Sequence, residues 1–456
     1  MKIMRFFELE GDTAATDTRA GGATPGRAAR TPCVTAALCV LCTLSSLLAM
    51  LLLSHYTSTL DELRSTQADT EVEARRTATL GAAPLPNASD ALTFLAHGSC
   101  ADQHKDQAFW SQLARLHPQL FVLNGDIIYG DCDCRDCNPA DCAELDGAWR
   151  QLFEKTNFGS VRANLPMLGM LDDHDYGQND CSEDNPYKHY AKAHFLRRWN
   201  APPVDPRWAR QGVYMSAVHG PPGRRTQLIL TDTRWSKSHY LPTDCPMCEG
   251  KERYVAYNAS TGGSVTAPNG GPRMMSEEQW AWLEAQLRQP AEVRLLFSTV
   301  QVLADGHGWE RWGLIPLERR RLLELIADTN AHGVILLSGD RHIGAHYKVA
   351  AGVFGAPYEM HEVTASSLTH SYRGDRGADE PGPNRVGPLV HENHLGTVRI
   401  DWAAQQVTLQ LVAADDCGVS HQAWGQQCDE PGSGTAGATL LDLTLNLDDL
   451  RPARRA

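Results

Sequence analysis

Residues 120–131 have the sequence LFVLNGDIIYGD, in which an uninterrupted apolar run ends in Gly125 and Asp126. A short apolar run bounded by turn residues is typical of a buried strand in a parallel sheet. Four more apolar runs end in polar motifs, which are HGSC at 97–100, DDHDYGQND at 172–180, DTR at 232–234 and GDRH at 339–342. Ligands collect beyond the carboxyl ends of such strands, so five endings of this kind predict one shared site.

The alternation of apolar runs with stretches of helical period predicts an α/β domain from Ala91 onward. Strands are predicted at 91–100, 120–126, 165–175, 226–234, 293–302, 333–342 and 358–366. Helices are predicted at 106–117, 276–289 and 317–333. The C-terminal part adds strand candidates at 396–402 and 406–414, and a further apolar segment at 438–447.

The segment 31–54 contains no charged residue, and about 20 apolar residues suffice for a helix to cross a bilayer. It predicts a transmembrane signal anchor, since a cleaved signal peptide would have an apolar region of only ~7–15 residues. Arginines precede the segment while Asp61 and Glu62 follow it, which favours a cytoplasmic N-terminus. The prediction is a single-pass type II membrane protein with a cytoplasmic segment at 1–30, a stalk at 55–90 and an extracellular or lumenal domain at 91–450.

Charge excludes one class of partner. The formal net charge is −13 and the chain has no long run of Lys or Arg, whereas a nucleic-acid-binding surface needs a basic stripe. No nucleic-acid partner is therefore expected. Asn-x-Ser tripeptides at Asn87 and Asn258 agree with a glycoprotein whose domain faces away from the cytoplasm.

The residues at the strand ends suit a pair of metal ions. Asp126 is the natural carboxylate to bridge two ions, and Tyr129 can return to one of them as a phenolate. Cys100 offers a soft thiolate, whereas Asp173 and Asp340 offer hard oxygens suited to Ca²⁺ or Mg²⁺. Two such ions generate hydroxide near neutral pH and hold a phosphoryl group for in-line attack.

In this order and with strand-sized gaps, the motifs GSC, GDIIYGD, DDHDYGQND, DTR and LSGDRHIGA resemble those of the PhoD-like alkaline phosphatase family of the metallophosphoesterase superfamily. The resemblance covers residues 92–370. It implies a two-sheet αββα sandwich and a metallophosphatase, that is, a hydrolase that cleaves phosphate esters with a metal-held hydroxide. We therefore expect a phosphate mono- or diester as substrate.

The resemblance also implies a role for individual residues. It places Fe³⁺ among Cys100, Asp126, Tyr129 and His342, and Ca²⁺ among Asp126, Asp173 and Asp340. His174 takes the position of the catalytic histidine, which orients the phosphate or protonates the leaving oxygen. Arg234 and Arg341 are implied to bind phosphate oxygens in bidentate fashion. Spacing alone does not distinguish Fe and Ca from Zn, Mn or Mg.

Several alternatives stay open. Arg234 could instead pair with Asp232 and fix the end of its strand. An additional ligand on a middle strand is undecided between Gln301 and His307. We expect structural or surface roles for His346, His361 and His370. The alternative functions are a phospholipase or phosphodiesterase acting on membrane lipids, and a catalytically silent surface interaction module.

The run CDCRDCNPADC at 132–142 is rich in cysteine. It could bind zinc, but the oxidising compartment predicted for the domain favours disulfides. The long-range partners expected for this cluster are Cys181, Cys245 and Cys248. Cys417 and Cys428 are expected to close a local loop.

Overall fold

The structure is a computed structural model that describes residues 81–132, 142–243, 253–257, 271–371, 382–415 and 436–452, together with Met50 and Ser54. The chain divides into two compact units, Met1–Glu71 and Val72–Ala456, and all elements named below belong to the second unit. Apart from Met50 and Ser54, the predicted membrane helix at 31–54 lies outside the described residues. Within the described part of the chain, no helix is long and apolar enough to cross a membrane.

The first sheet has six strands, numbered here along the chain. They are β1 (Phe94–Gly98), β2 (Leu120–Asn124), β3 (Met167–Met170), β13 (His394–Asp401), β14 (Gln406–Ala413) and β15 (Thr439–Asn446). Their order in the sheet is β15-β14-β13-β1-β2-β3. The first three strands run parallel, whereas β13, β14 and β15 continue the sheet in antiparallel fashion from β1.

The second sheet has seven strands. They are β4 (Met215–His219), β5 (Thr226–Leu230), β8 (Val293–Phe297), β9 (Val334–Ser338), β10 (Gly344–Val349), β11 (Met360–Ala365) and β12 (Arg385–Val390). Their order is β12-β10-β11-β9-β8-β5-β4, with a parallel centre formed by β5, β8, β9 and β11. Two short strands, β6 (Leu241–Pro242) and β7 (Tyr254–Val255), form a separate antiparallel pair.

Six helices are described. They are α1 (Phe109–Leu116), α2 (Ala143–Glu154), α3 (Thr156–Asn164), α4 (Lys188–Arg198), α5 (Glu277–Leu287) and α6 (Pro316–Asp328). Helix α5 begins where the Ser276 side chain accepts a hydrogen bond from the backbone N–H of Gln279, the usual N-cap arrangement. Helix α6 begins with Pro316, whose missing N–H costs nothing in the first turn.

Alternating side chains of β2 show how the layers stack. Val122 belongs to a buried cluster shared with strands of the second sheet. Phe121 and Leu123 belong to another cluster, shared with Trp110 of α1 and Trp149 of α2. Alternate residues of a strand point to opposite faces, so helices α1 to α4 cover one face of the first sheet and the second sheet covers the other. The predicted two-sheet α/β fold is confirmed.

The structure confirms that the cysteine-rich run forms a disulfide, but the pairing lies within the run and not with a long-range partner. Cys132 and Cys142 are bonded at the entrance to α2. Cys181 is a free, buried thiol, so the prediction that it is a disulfide partner is wrong; its side chain instead packs into the helix-side cluster with Tyr176. The remaining cysteines of the predicted pairs, Cys134, Cys137, Cys245, Cys248, Cys417 and Cys428, lie outside the described residues.

Candidate metal centre

Every predicted site residue lies in a loop that follows a strand. These loops follow β1, β2 and β3 of the first sheet and β5 and β9 of the second. Four of the residues have a left-handed backbone, with φ of 65° at Cys100, 48° at Asp126, 68° at Asp340 and 53° at His342. Non-glycine residues rarely adopt this conformation, and it costs on the order of 1–3 kcal/mol each. The surrounding fold therefore holds these four residues in a backbone conformation that they would not adopt by themselves.

Two glycines allow the loops to approach closely. A Cβ on Gly125, whose φ is +87°, would lie 2.7 Å from the Cβ of Asp172. A Cβ on Gly339 would lie 2.5 Å from the Oγ of Ser99 and 3.0 Å from the backbone O of Asn124. The distances of 2.7 Å and 2.5 Å are shorter than a Cβ atom tolerates, so GD at 125–126 and GD at 339–340 need glycine for steric reasons.

The four residues assigned to iron by the resemblance come together. The possible ligand atoms of Cys100, Asp126 and His342 all lie within 4.8 Å of one another. Asp126 Oδ2 is 3.5 Å from the Cys100 Sγ and 3.3 Å from the Tyr129 hydroxyl. The same hydroxyl lies 3.0 Å from His342 Nε2. Sulfur, imidazole, phenol and carboxylate donors are thus arranged around one small volume.

His370 joins this group, contrary to the structural or surface role expected for it. Its Nε2 lies 3.4 Å from the Tyr129 hydroxyl, and its ring centroid is 4.2 Å from that of His342. The sequence carries a weak signal for this placement, because His370 follows strand β11 as the other site residues follow their strands. Its distance of five residues from the strand end at Ala365 hides that signal.

Asp126 and Asp173 also belong to groups of possible metal ligands that do not include Cys100 or His342. The ligand atoms of Asp126, Asp173 and His174 lie within 4.8 Å of one another, and so do those of Asp172, Asp173 and Asp340. The second of these groups contains both hard carboxylates that the sequence predicts for a calcium site. Asp126 therefore occupies the position between two sets of possible ligands.

Arg234 lies inside this acidic cluster. Its side chain is completely buried, its Nε binds Asp172, its Nη1 is 2.5 Å from a Glu310 oxygen and its Nη2 is 3.2 Å from Asp340 Oδ1. All three guanidinium nitrogens contact carboxylates, so the geometry favours an internal counter-ion. The alternative pairing with Asp232 exists only through the backbone, since Asp232 Oδ1 accepts the Arg234 N–H at 3.1 Å.

The sequence does not mark Glu310, which lies close to Asp180 at the end of the DDHDYGQND motif. The ligand atoms of Asp173, Asp180 and Glu310 lie within 4.8 Å of one another. Glu310 also binds the buried Lys237 at 2.9 Å. Glu310 lies in a loop without a preceding apolar run, so no pattern in the sequence marks it.

The structure also gives the contacts of Arg341, which is predicted to bind phosphate, and of the two candidates for an additional ligand, Gln301 and His307. Arg341 is buried, with its guanidinium carbon 4.9 Å from the centre of the Trp309 ring. His307 Nε2 lies 3.1 Å from Gln301 Oε1. Among the described residues, His307 belongs to none of the groups of His, Cys, Asp and Glu side chains that could hold a metal ion.

Burial and mutual repulsion dominate the electrostatics of the centre. Burial raises the pKa of Asp126, and the neighbouring Asp173 raises it further. Burial also raises the pKa of Asp340, with Asp172 adding to the effect. Burial would raise the pKa of Asp173 as well, but Arg234 and His174 bring it below its usual value. Burial lowers the pKa of His342 to about 3.

The residues fit metal ions. Asp126 Oδ1 and Asp172 Oδ2 are buried, and neither has a hydrogen-bond partner among the described residues. A buried carboxylate oxygen without a partner is costly, and the carboxylates of this cluster repel one another. Cations would satisfy these oxygens and remove the repulsion.

A family model described as PhoD-like phosphatase matches residues 95–411 of the 456-residue chain. The chain belongs to the PhoD-like phosphatase family. The match runs from β1 into β14 and so extends beyond the motifs between 92 and 370. Membership of the PhoD-like family identifies the protein as a phosphatase that hydrolyses phosphate esters with the help of metals. This family membership does not support the alternative of a catalytically silent module.

One solved structure has a similar fold. The chain resembles the structure of PhoD with a TM-score of 0.57 and 16% sequence identity, over 81% of this chain and 72% of that chain. The crystal structure of TT1561 of Thermus thermophilus matches 70% of this chain and 98% of its own, with 11% identity and a TM-score of 0.30, which is too low to indicate a common fold. No curated protein matches the chain.

Proposed function

We propose that the protein is a membrane-anchored phosphoesterase whose domain lies outside the cytoplasm and hydrolyses phosphate mono- or diesters with a metal-held hydroxide. The observation that carries the proposal is the position of Asp126, which belongs both to the group with Cys100 and His342 and to the group with Asp173 and His174. One carboxylate between two sets of ligands is the arrangement that a two-metal hydrolase needs.

The donor types support iron on one side and calcium on the other. Cys100, Tyr129 and His342 offer the sulfur, phenol and imidazole atoms that suit a transition metal. Asp173 and Asp340 offer oxygens only, which suits Ca²⁺. Bound cations would lower the pKa of water towards neutrality and neutralise the phosphoryl charge.

The remaining roles belong to the protein's own side chains. His174 lies beside the Asp126 and Asp173 ligand atoms, where an imidazole can orient the phosphate or protonate the leaving oxygen. Arg341 supplies a cation next to Asp340 for phosphate oxygens. Arg234 has the alternative role of holding the acidic residues together.

Asp126→Asn tests the proposal. We expect purified full-length protein to hydrolyse p-nitrophenyl phosphate and bis-p-nitrophenyl phosphate, and Asp126→Asn to lose on the order of 100-fold or more in kcat together with bound metal. Asp448→Asn is the control, because the Asp448 side chain is 87% exposed. Wild-type activity in Asp126→Asn would contradict the mechanism.

The anchor favours one second candidate, a phospholipase or phosphodiesterase acting on membrane lipids. It rests on the uncharged segment 31–54, which would keep the domain near a bilayer. Turnover of a phospholipid in vesicles, compared with a soluble monoester and diester, distinguishes these substrates.

The location has its own test. Asn87, the first residue of a glycosylation tripeptide, is exposed, as modification in the lumen requires. We expect alkaline carbonate to leave the full chain in the membrane and deletion of 31–54 to release it. We also expect Asn87→Gln to reduce the mass of the protein made in a glycosylating host. Release of the full chain by carbonate would contradict the anchor.

A further inference from the structure

The residues that lead into the cysteine-rich run lie beside the metal centre. Backbone hydrogen bonds join Gly130 N to His174 O at 3.3 Å and Cys132 N to Gly177 O at 2.8 Å. Between these two bonds, Asp131 Oδ2 lies 2.6 Å from His174 Nδ1. The segment 130–132 therefore lies against the loop that carries the proposed catalytic histidine, and a short side-chain hydrogen bond connects them.

The bond to Asp131 sets the orientation of the imidazole. A ring nitrogen that lies 2.6 Å from a carboxylate oxygen donates its proton to it. Nδ1 of His174 is thus committed to Asp131, and Nε2 on the opposite edge of the ring is the nitrogen left for the substrate. The ring also packs against Tyr129, with centroids 4.2 Å apart.

The disulfide fixes the position of Asp131. Cys132, the next residue, is bonded to Cys142, whose sulfur accepts a hydrogen bond from Leu145 N at 3.4 Å at the start of α2. Leu145 and Trp149 anchor that helix in the core with no exposed surface. Without the disulfide, Cys132 would keep its bond to Gly177 O but lose its covalent link to this rigid helix.

We propose that the Cys132–Cys142 disulfide holds Asp131 against His174, so that the catalytic step depends on the oxidised cysteine pair. Asp131 is the positioning residue and acts through His174. The proposal rests on the proposed function, since it needs His174 to donate a proton to the leaving oxygen or to orient the phosphate.

The first test removes Asp131 and follows the leaving group. A general acid contributes about 10²–10⁴-fold, and it matters most when the leaving oxygen is a poor one. We expect Asp131→Ala to lower kcat for an alkyl phosphate by about 10-fold or more, and to lower it much less for p-nitrophenyl phosphate. KM and metal content should stay within twofold of the wild-type values.

The matched control is Asp146→Ala. Asp146 Oδ1 lies 2.8 Å from His194 Nδ1, so this variant breaks an Asp–His pair of the same kind at a distance from the metal centre. We expect it to leave kcat unchanged for both substrates. An equal loss in Asp131→Ala and Asp146→Ala, or a loss in Asp131→Ala that is independent of the leaving group, would overturn the role of Asp131.

The second test addresses the disulfide. The double variant Cys132→Ala/Cys142→Ala should show the same dependence on the leaving group, and adding Asp131→Ala to it should cause little further loss. Such non-additivity is expected of residues that act through one another. A double variant with a lower melting temperature but wild-type kcat for the alkyl phosphate would show a purely structural disulfide and overturn the proposal.

Gly177→Ala replaces the double variant if that protein does not fold. A Cβ on Gly177 would lie 2.8 Å from the Cys132 sulfur, so it displaces the same segment while both cysteines remain. We expect the same dependence on the leaving group, and a uniform loss for both substrates would overturn the proposal. Wild-type protein without phosphatase activity would instead reject the proposed function, whereas active wild type with unaffected variants rejects only this inference.

Discussion

The Tyr129 hydroxyl lies close to Asp126 Oδ2, three residues earlier in the chain, and to His342 Nε2 and His370 Nε2 from distant parts of the chain. The tautomer of His370 follows from Thr369, whose hydroxyl donates its only proton to the Cys100 carbonyl at 2.9 Å. The Thr369 hydroxyl oxygen can then only accept a hydrogen bond from His370, so Nδ1 of His370, 3.0 Å away, carries the proton. The bare Nε2 of His370 consequently faces Tyr129, where its lone pair adds a nitrogen donor beside the group that includes His342.

His370→Ala should weaken the retention of metal. Removing a partner of a metal-binding group typically costs about 10–100-fold in affinity, and we expect a loss in that range on the Tyr129 side. Competition of the purified protein with a chelator, followed by elemental analysis, measures it. His346→Ala is the control, because His346 hydrogen-bonds to His361 away from the metal groups. Equal retention in the two variants would remove His370 from the centre.

The site residues that could be predicted from the sequence are those that come directly after a strand. Asp126, Asp173 and Asp340 directly follow apolar strands, and the carboxyl ends of parallel strands meet, so their proximity follows from the pattern. Glu310 and His370 reach the centre through long loops whose course depends on tertiary contacts. For Glu310 no local pattern carries that information, and for His370 the signal in the sequence is weak.

Among the elements, the pairing of β1 with β13 requires a glycine. Gly396 lies opposite His97, and a Cβ on it would lie 2.3 Å from the His97 imidazole. We expect Gly396→Ala to reduce the free energy of unfolding by about 1–3 kcal/mol through overpacking. Denaturant titration measures this value.

Gly147→Ala is the matched control for that substitution. Gly147 lies within α2, and a Cβ there meets no atom within 4 Å. Alanine is favoured over glycine in a helix by about 0.5–1 kcal/mol, so this variant should be more stable than wild type. Destabilisation of both variants to the same extent would show that the β1–β13 contact is not the cause.

Strands β10 and β11 carry a pH-sensitive pair. His346 Nε2 lies 3.0 Å from His361 Nδ1; burial lowers the pKa of His346 to about 4 and also lowers that of His361. Three charged side chains surround the pair: Lys348 lowers and Glu359 raises both pKa values, and Asp449 raises that of His361. Each histidine has a lower pKa in the folded protein than the value of about 6.5 expected in the unfolded chain. The neutral pair therefore stabilises the fold fully above pH ~6.5, and this stabilisation is lost as the pH falls towards the folded pKa values.

We therefore expect the free energy of unfolding to decrease by roughly 1–3 kcal/mol from this pair between pH 6.5 and 4. His346→Gln keeps a donor for His361 but does not titrate, so its stability should depend less on pH over the same range. If the free energy of unfolding changed equally with pH in wild type and in His346→Gln, the pH dependence could not be assigned to His346.

The strands and helices predicted from the sequence are those with a clear period. Helices α5 and α6 and the parallel strands have strong apolar patterns, and the structure contains them. The sequence does not predict α3, whose residues TNFGSVRAN include a glycine and no apolar stripe. Nor does it predict β12, an edge strand with exposed Gly387 and Pro388. Tertiary contacts form these elements where the local preference is weak.

For the molecule as a whole, removal of metal should lower the melting temperature. The buried carboxylates of Asp126, Asp172 and Asp340 all have raised pKa values, so they destabilise the fold when charged without a cation. A ligand at 100 times its Kd stabilises by about 2.7 kcal/mol. We expect a chelator to lower Tm by several degrees and added metal to restore it, with a smaller drop in Asp126→Asn. An unchanged Tm would contradict metal binding by the folded state.

The left-handed backbone at Cys100, Asp126, Asp340 and His342 has a consequence for laboratory evolution. Glycine or asparagine tolerates this conformation better than the native side chains do. A screen that rewards thermal resistance alone would therefore accumulate such replacements at these four positions and discard the ligands. Selection of more durable variants of this enzyme thus has to score turnover in every round.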